Sequence, residues 1–145
     1  MNIKQFKVAV TRQLPEPVET RMKELFDVNL SNSPYPLTKD QLLEIVQDCD
    51  VLVPTIGDKI DGNFIKETGG KLKLISNYGV GFDHIDVLTA TKRGITVTNT
   101  PNVLTEDTAD MAMALILSVP RRIKEGVKKL ADDEWDGWAP NALLG

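Results

Sequence analysis

The chain is poor in the residues that build metal and disulfide sites. It has a single cysteine, Cys49, which excludes a disulfide framework and a cysteine-built metal centre. It has a single histidine, His84, which excludes any site that needs two. Basic residues are in the minority, 17 Lys and Arg against 21 Asp and Glu, for a net charge of −4. They form no cluster of the kind that binds phosphate backbones, so no nucleic-acid partner is expected. Long hydrophobic runs are missing as well. The longest uncharged apolar stretch, residues 111–120, is about half of a membrane span. Residues 1–7 hold no apolar segment of signal-peptide length. The expectation is a cytoplasmic protein with no membrane partner.

What is present is an ordinary globular balance. Of 145 residues, 41% are hydrophobic and 26% charged, which argues against disorder and allows a useful core. Short apolar runs begin at Phe6, Phe26, Val51, Leu72 and Ile95. Their spacing, roughly 20 to 25 residues, suits strands alternating with helices. Between them, residues 15–25 place Val18, Met22 and Leu25 on one helical face, with Pro15 and Pro17 near the first turn. Residues 38–48 start with a Thr cap and align Leu42, Ile45 and Val46. Residues 60–68 form a shorter candidate ended by Gly69-Gly70, and residues 83–93 run from an Asp83 cap to Gly94. Five such units predict an α/β fold: a parallel five-stranded, flavodoxin-like sheet in the order 2-1-3-4-5, with helices on both faces.

The pattern changes after Pro101. Residues 105–118 predict a long helix with Glu106 and Asp107 in its first turn. Its body is apolar on nearly every side, which predicts burial all round, with Met111 and Met113 as core. A charged helix over residues 121–130 follows, its Arg121-Arg122-Ile123-Lys124 run balanced by Glu125 and later acids as a solvated face. Residues 135–145 read as an extended arm whose Trp135 and Trp138 suit a partner surface.

One loop draws the chemistry. Residues 77–84, NYGVGFDH, join a strand to a helix. On spacing alone the plainer reading is a tight turn capped by Asp83. The alternative is a loop whose two glycines let backbone amides approach a small carboxylate. It is not a dinucleotide fingerprint: His84 occupies the third glycine position, and Thr98-Asn99-Thr100 stand where an acid would be needed. His84 has no assignable acid–base partner and reads as a hydrogen-bonding residue. Cys49 lies between Asp48 and Asp50, acids that raise a thiol pKa and discourage a nucleophile. A phosphoryl-accepting receiver would need acids where Val10-Thr11-Arg12-Gln13 and Val53-Pro54-Thr55 stand, and a flavin-phosphate loop is incompatible with Leu14-Pro15-Glu16-Pro17.

Residues 72–86 (LKLISNYGVGFDHID) and 90–101 (ATKRGITVTNTP) resemble the D-isomer-specific 2-hydroxyacid dehydrogenases. Residues 102–110 (NVLTEDTAD) look most like the glyoxylate and hydroxypyruvate reductase branch, and the tail 135–145 is similar to the arm that precedes its cofactor fingerprint. The resemblance implies a two-domain enzyme that passes hydride between NAD or NADP and a small 2-oxo or 2-hydroxy acid. It implies that residues 1–103 are the substrate-binding domain and that residues 104–145 are an interdomain helix and arm serving a homodimer. The family's catalytic His, Glu and Arg, and its cofactor fingerprint, lie in a second domain that has no counterpart in these residues. No catalytic residue or metal ligand is therefore expected here, and the chain alone is expected to be inactive and not to bind the cofactor. The resemblance carries over Val80 and Gly81 as the loop holding the substrate carboxylate, with Val80 also facing the nicotinamide. It carries over Asn102 as a substrate-proximal residue, and Thr55 within the substrate-facing loop 54–57, where Pro54 in place of a basic residue favours an unphosphorylated acid. Two other readings stay open: a protein that only binds a small carboxylate, and a folded remnant that only self-associates.

Overall fold

The computed structural model describes residues 6–140. Its strands are β1 (Lys7–Val10), β2 (Asp27–Leu30), β3 (Val51–Val53), β4 (Leu74–Ser76) and β5 (Thr96–Thr98). All pair in parallel, in the order β2-β1-β3-β4-β5. The register sets Ala9, Leu52, Ile75 and Val97 in one row across the sheet, and Val8, Val51, Leu74 and Thr96 in the adjacent row. Successive residues of a strand face opposite sides, so the two rows supply two cores. On the first side, Ala9, Leu52 and Ile75 pack with Leu42 and Val46 of α2 (Lys39–Val46), Phe64 and Ile65 of α3 (Gly62–Glu67), and Ala90 of α4 (Val87–Lys92). On the other, Val8 and Val10 pack with Met22 of α1 (Glu16–Leu25) and with Phe26. Parallel sheets are normally covered on both faces. Here the second face retains an apolar groove of about 460 Å³ lined by Phe6, Val8, Phe26, Val51, Val53 and Leu74.

Local chemistry sets the helix ends. Thr38 closes a capping box with Gln41, and Asp61 accepts the amides of Asn63 and Phe64. Gly94 follows α4 at φ +71°, a left-handed conformation that favours glycine. Two helices are shorter than the sequence predicts. The helix expected from Asp83 begins at Val87, capped by Asp86, and the helix expected from Ile60 begins at Gly62. The reason is shared: Ile60 N–H donates to His84 C=O at 3.0 Å and Asp86 N–H to Ile60 C=O at 2.9 Å, a parallel bridge that holds both segments extended. Helix α3 closes at Thr68, whose hydroxyl donates to Ile65 C=O, and neither Gly69 nor Gly70 adopts a positive φ.

The chain divides into two compact units, residues 1–101 and 102–145. In the second, α5 (Thr105–Ser118) is followed by α6 (Ile123–Ala131). The expected burial of α5 on every side is not found: none of its residues is buried, and Met111 and Met113, expected in a core, are exposed. A helix apolar all round needs neighbours all round, and the described part of this unit holds one other helix. Helix α6 begins at Ile123, two residues later than expected, after Arg122 in a left-handed conformation. Trp135 and Trp138 are exposed in a segment without helix or strand, and the end of the expected arm, residues 141–145, lies outside the described residues. Among the described residues no helix is long and apolar enough to cross a membrane, and no cluster of acids, His or Cys could hold a metal ion.

Candidate functional site

In a parallel sheet every strand ends on the same edge, and ligands gather where the strand order reverses. Here that point lies between β1 and β3. Thr11 and Arg12 leave β1 there, residues 54–58 leave β3, and residues 77–86 leave β4 beside them. Tyr78 N–H donates to Pro54 C=O at 2.9 Å, so the last two segments continue the sheet's pairing beyond its strands.

Asp58 anchors the loop after β3. It is 1% exposed, and its Oδ2 accepts from Thr11 Oγ1 at 2.5 Å, Thr55 N–H at 2.7 Å and Thr55 Oγ1 at 3.2 Å. The family resemblance places Thr55 in a substrate-facing loop. The structure turns its hydroxyl inward to Asp58 and leaves it 8% exposed, while Ile56 and Gly57 form the open part of the loop. Arg12 lies against Gly57: a Cβ there would come within 2.8 Å of its Nη2. Its Nη1 donates to Pro34 C=O at 3.2 Å. Among the described residues, Arg12 Nε and Nη2 and Asp58 Oδ1 are buried without a partner.

The loop after β4 is built differently. Asn77 is 2% exposed and lies beneath it. Its Nδ2 donates to Gly79 C=O at 3.1 Å and to Gly81 C=O at 2.8 Å. Asn99 Nδ2 donates to Val80 C=O at 2.8 Å, and Thr100 N–H to Gly79 C=O at 3.1 Å. All three carbonyls are thus turned toward the protein. Among the described residues, the amides of Gly79, Val80, Gly81 and Phe82 have no protein acceptor. A Cβ on Gly81 would meet nothing within 4 Å, so the backbone there faces open space. A Cβ on Gly79 would lie 2.9 Å from Ile56 Cγ2, which shows how closely the two loops approach. Consecutive unpaired amides beside open space form a concavity suited to an anion. The amides come from this loop geometry and not from a helix start, since α4 begins at Val87.

His84 bonds through Nε2 to Asn77 Oδ1 at 3.1 Å, the hydrogen-bonding role expected of it. Burial lowers its pKa, with Asp58 and Asp83 pulling weakly the other way. Cys49 is buried, and burial first, then Asp50, pushes its thiol up to about 11, which suits a packing residue and not a nucleophile. Val80 is part-exposed at the rim with Tyr78 and Phe82. Asn102 belongs to the second unit, where it is exposed and left-handed at φ 64°, a conformation that asparagine tolerates.

The model of the D-isomer specific 2-hydroxyacid dehydrogenase catalytic domain matches residues 8–138. The chain belongs to this family. It is 43% identical over 140 residues to a glyoxylate reductase of Korarchaeum cryptofilum and 45% over 141 residues to one of Thermofilum pendens. Each alignment takes in 96% of this chain but only 42% and 41% of the relative, so the chain spans about two fifths of the length of these relatives. Among solved structures, a protein of Thermus thermophilus superposes with a TM-score of 0.88 at 42% identity, covering 96% of this chain and 44% of that one. An NADPH-dependent glyoxylate/hydroxypyruvate reductase of Sinorhizobium meliloti, solved with NADP and malonate, superposes at 0.75 and 28% identity, covering 96% and 42%.

The fit to a nicotinamide cofactor is partial. Val80 offers an exposed apolar side chain beside the open backbone of Gly81, which could meet one end of such a molecule. The sequence has no strand-turn-helix glycine fingerprint to hold a pyrophosphate. Asn77, Asn99 and Asp58, which shape the two loops, escaped the sequence reading. Asn77 and Asn99 are signalled only by standing immediately after β4 and β5, and Asp58, within the loop after β3, by nothing in the sequence.

Proposed function

We propose that this chain supplies the substrate-binding part of an NAD(P)-dependent reductase of small 2-oxo acids, with glyoxylate or hydroxypyruvate as the favoured class. The carrying observation is the run of unpaired amides at residues 79–82 beside an open Gly81. Val80 and Gly81 would donate to the substrate carboxylate, and the exposed Val80 side chain would border the nicotinamide. Ile56 presents an apolar wall, and buried Pro54 stands at the position where a basic side chain would favour a phosphorylated substrate. The names of the relatives support glyoxylate as the substrate. Residues 1–103 form the substrate-binding domain in this reading, with Thr55 as a loop anchor. Asn102 is a substrate-proximal residue of that domain, and residues 104–145 lead toward the cofactor domain and a homodimer, in a cytoplasmic enzyme.

Two titratable groups of these loops serve the fold: the Asp58 carboxylate holds Thr11 and Thr55, and His84 holds Asn77. The 145-residue chain is therefore expected to bind a small carboxylate weakly and to reduce none. Titrating labelled chain with glyoxylate should move the Val80 and Gly81 amides first. NADH and NADPH oxidation with glyoxylate or hydroxypyruvate should stay at background. No amide shift at about millimolar ligand would count against the site, and turnover by pure chain would overturn the assignment of catalysis elsewhere.

A further inference from the structure

The anion loop is held from below by a side chain that no substrate would touch. Asn77 has both amide hydrogens committed, to the carbonyls of Gly79 and Gly81, and its oxygen meets His84. Fixing these two carbonyls inward fixes the 79–80 and 81–82 peptide planes, so the Val80 and Phe82 N–H groups point outward, while Asn99, on Val80 C=O, does the same for the Gly81 N–H between them. The orientation of Asn77 follows from this geometry. Turning the amide over would set Oδ1 against two carbonyl oxygens and Nδ2 against the imidazole. With Oδ1 toward the ring, His84 Nε2 must carry the proton and donate. His84 C=O in turn accepts from Ile60 N–H at 3.0 Å, so the histidine sits on the bridge that ties this segment to the loop after β3.

We propose that Asn77 is a positioning residue for the carboxylate-binding loop and that His84, as the Nε2–H tautomer, locks it in place. This rests on the reading of residues 79–82 as an anion site, but its geometry can be tested without ligand. A side chain needed only to fill space beneath the loop would require neither the paired carbonyls nor one tautomer. The arrangement also accounts for the single histidine without giving it a proton to transfer.

The test uses the labelled 145-residue chain. At about pH 8, above the ordinary imidazole range, long-range proton–nitrogen spectra should show His84 protonated on Nε2. H84A should displace the Gly79, Val80 and Gly81 amides in ligand-free protein and weaken glyoxylate binding there about fivefold, roughly one hydrogen bond's worth. H84Q, which keeps an N–H donor, should restore binding to within about twofold. N77D should weaken it about tenfold or more by setting oxygen against oxygen. Should N77D fail to fold, the His84 pair still decides. An Nδ1–H tautomer would overturn the proposal, and so would an H84A protein whose 79–81 amides stay where they were. If glyoxylate moves no amide in the unmodified chain, the anion-site reading fails, and the clamp is judged on tautomer and ligand-free shifts.

Discussion

The Thr11 hydroxyl donates to the buried Asp58 carboxylate at 2.5 Å, across 47 residues of sequence. The bond joins the end of β1 to the loop after β3, the two strands between which the sheet order reverses. The same oxygen of Asp58 takes both donors of Thr55, so one carboxylate sets the path of residues 55–58.

Removing that acceptor should be costly. D58A leaves buried donors of Thr11 and Thr55 unpaired and should lower unfolding free energy by about 3 kcal/mol, whereas T11V, which removes a single donor, should cost about 1 kcal/mol. In urea unfolding the double variant should lose less than the two together, because both delete the same bond. Strict additivity would show that the Thr11–Asp58 contact contributes nothing to stability.

The two glycines of the anion loop should separate fold from function. At Gly79 an added methyl meets Ile56 Cγ2 at 2.9 Å, so G79A must displace the Ile56 side chain and should lower the melting temperature. At Gly81 the methyl meets nothing within 4 Å, so G81A should melt like the unmodified chain. It would nevertheless occupy the space through which a carboxylate reaches the amides, and glyoxylate binding should fall. Equal melting losses with unchanged binding would move the ligand away from this loop.

The sheet was legible because its strands are local apolar runs at even spacing, and the parallel order follows from right-handed crossovers. Thr38 and its helix were legible for the same reason: the cap and its partner Gln41 stand three residues apart. The site was legible only as a glycine pattern. What shapes it is tertiary: Asn77 and Asn99 reach carbonyls that depend on where β4 and β5 end, and Asp58 meets Thr11 only after β1 and β3 pair. The bridge between Ile60 and Ile85 delays two helices, and nothing in either segment alone signals it. Periodicity exposed the apolar surface of α5, but periodicity does not say what covers it.

His84 should make stability depend on pH. Burial lowers its folded pKa below the ordinary 6.5, so between the two values the unfolded chain binds more protons than the folded one. The group has no effect above the unfolded pKa, and stability falls as pH drops through that value toward the folded one. H84Q removes the titration. Urea unfolding of both proteins at about pH 7.5 and pH 5.5, on either side of the ordinary imidazole value, should show the larger acid loss in the unmodified chain. Parallel losses would mean that burial does not disfavour the imidazolium here.

Self-association should run through the second unit. Helix α5 exposes Met111, Met113, Leu115, Ile116 and Leu117, and α6 exposes Ile123, Val127 and Leu130 on one face. Trp135 and Trp138 follow in an irregular segment. Each such side chain gains about 1.5–3 kcal/mol on full burial, so together they exceed the net stability of a typical domain, about 5–15 kcal/mol. Water is a poor neighbour for that surface, and a second copy of the chain offers the same surface in return. A two-fold contact is self-complementary and closed, so it would leave no apolar face to recruit further copies. Sedimentation at micromolar concentration should report a dimer. Residues 1–101, a compact unit in their own right, should sediment as a monomer once residues 102–145 are deleted. L115E with I116E should dissociate the full chain while leaving the fold of residues 1–101 intact by NMR. A monomeric full chain, or a dimer that survives the deletion, would place the interface elsewhere.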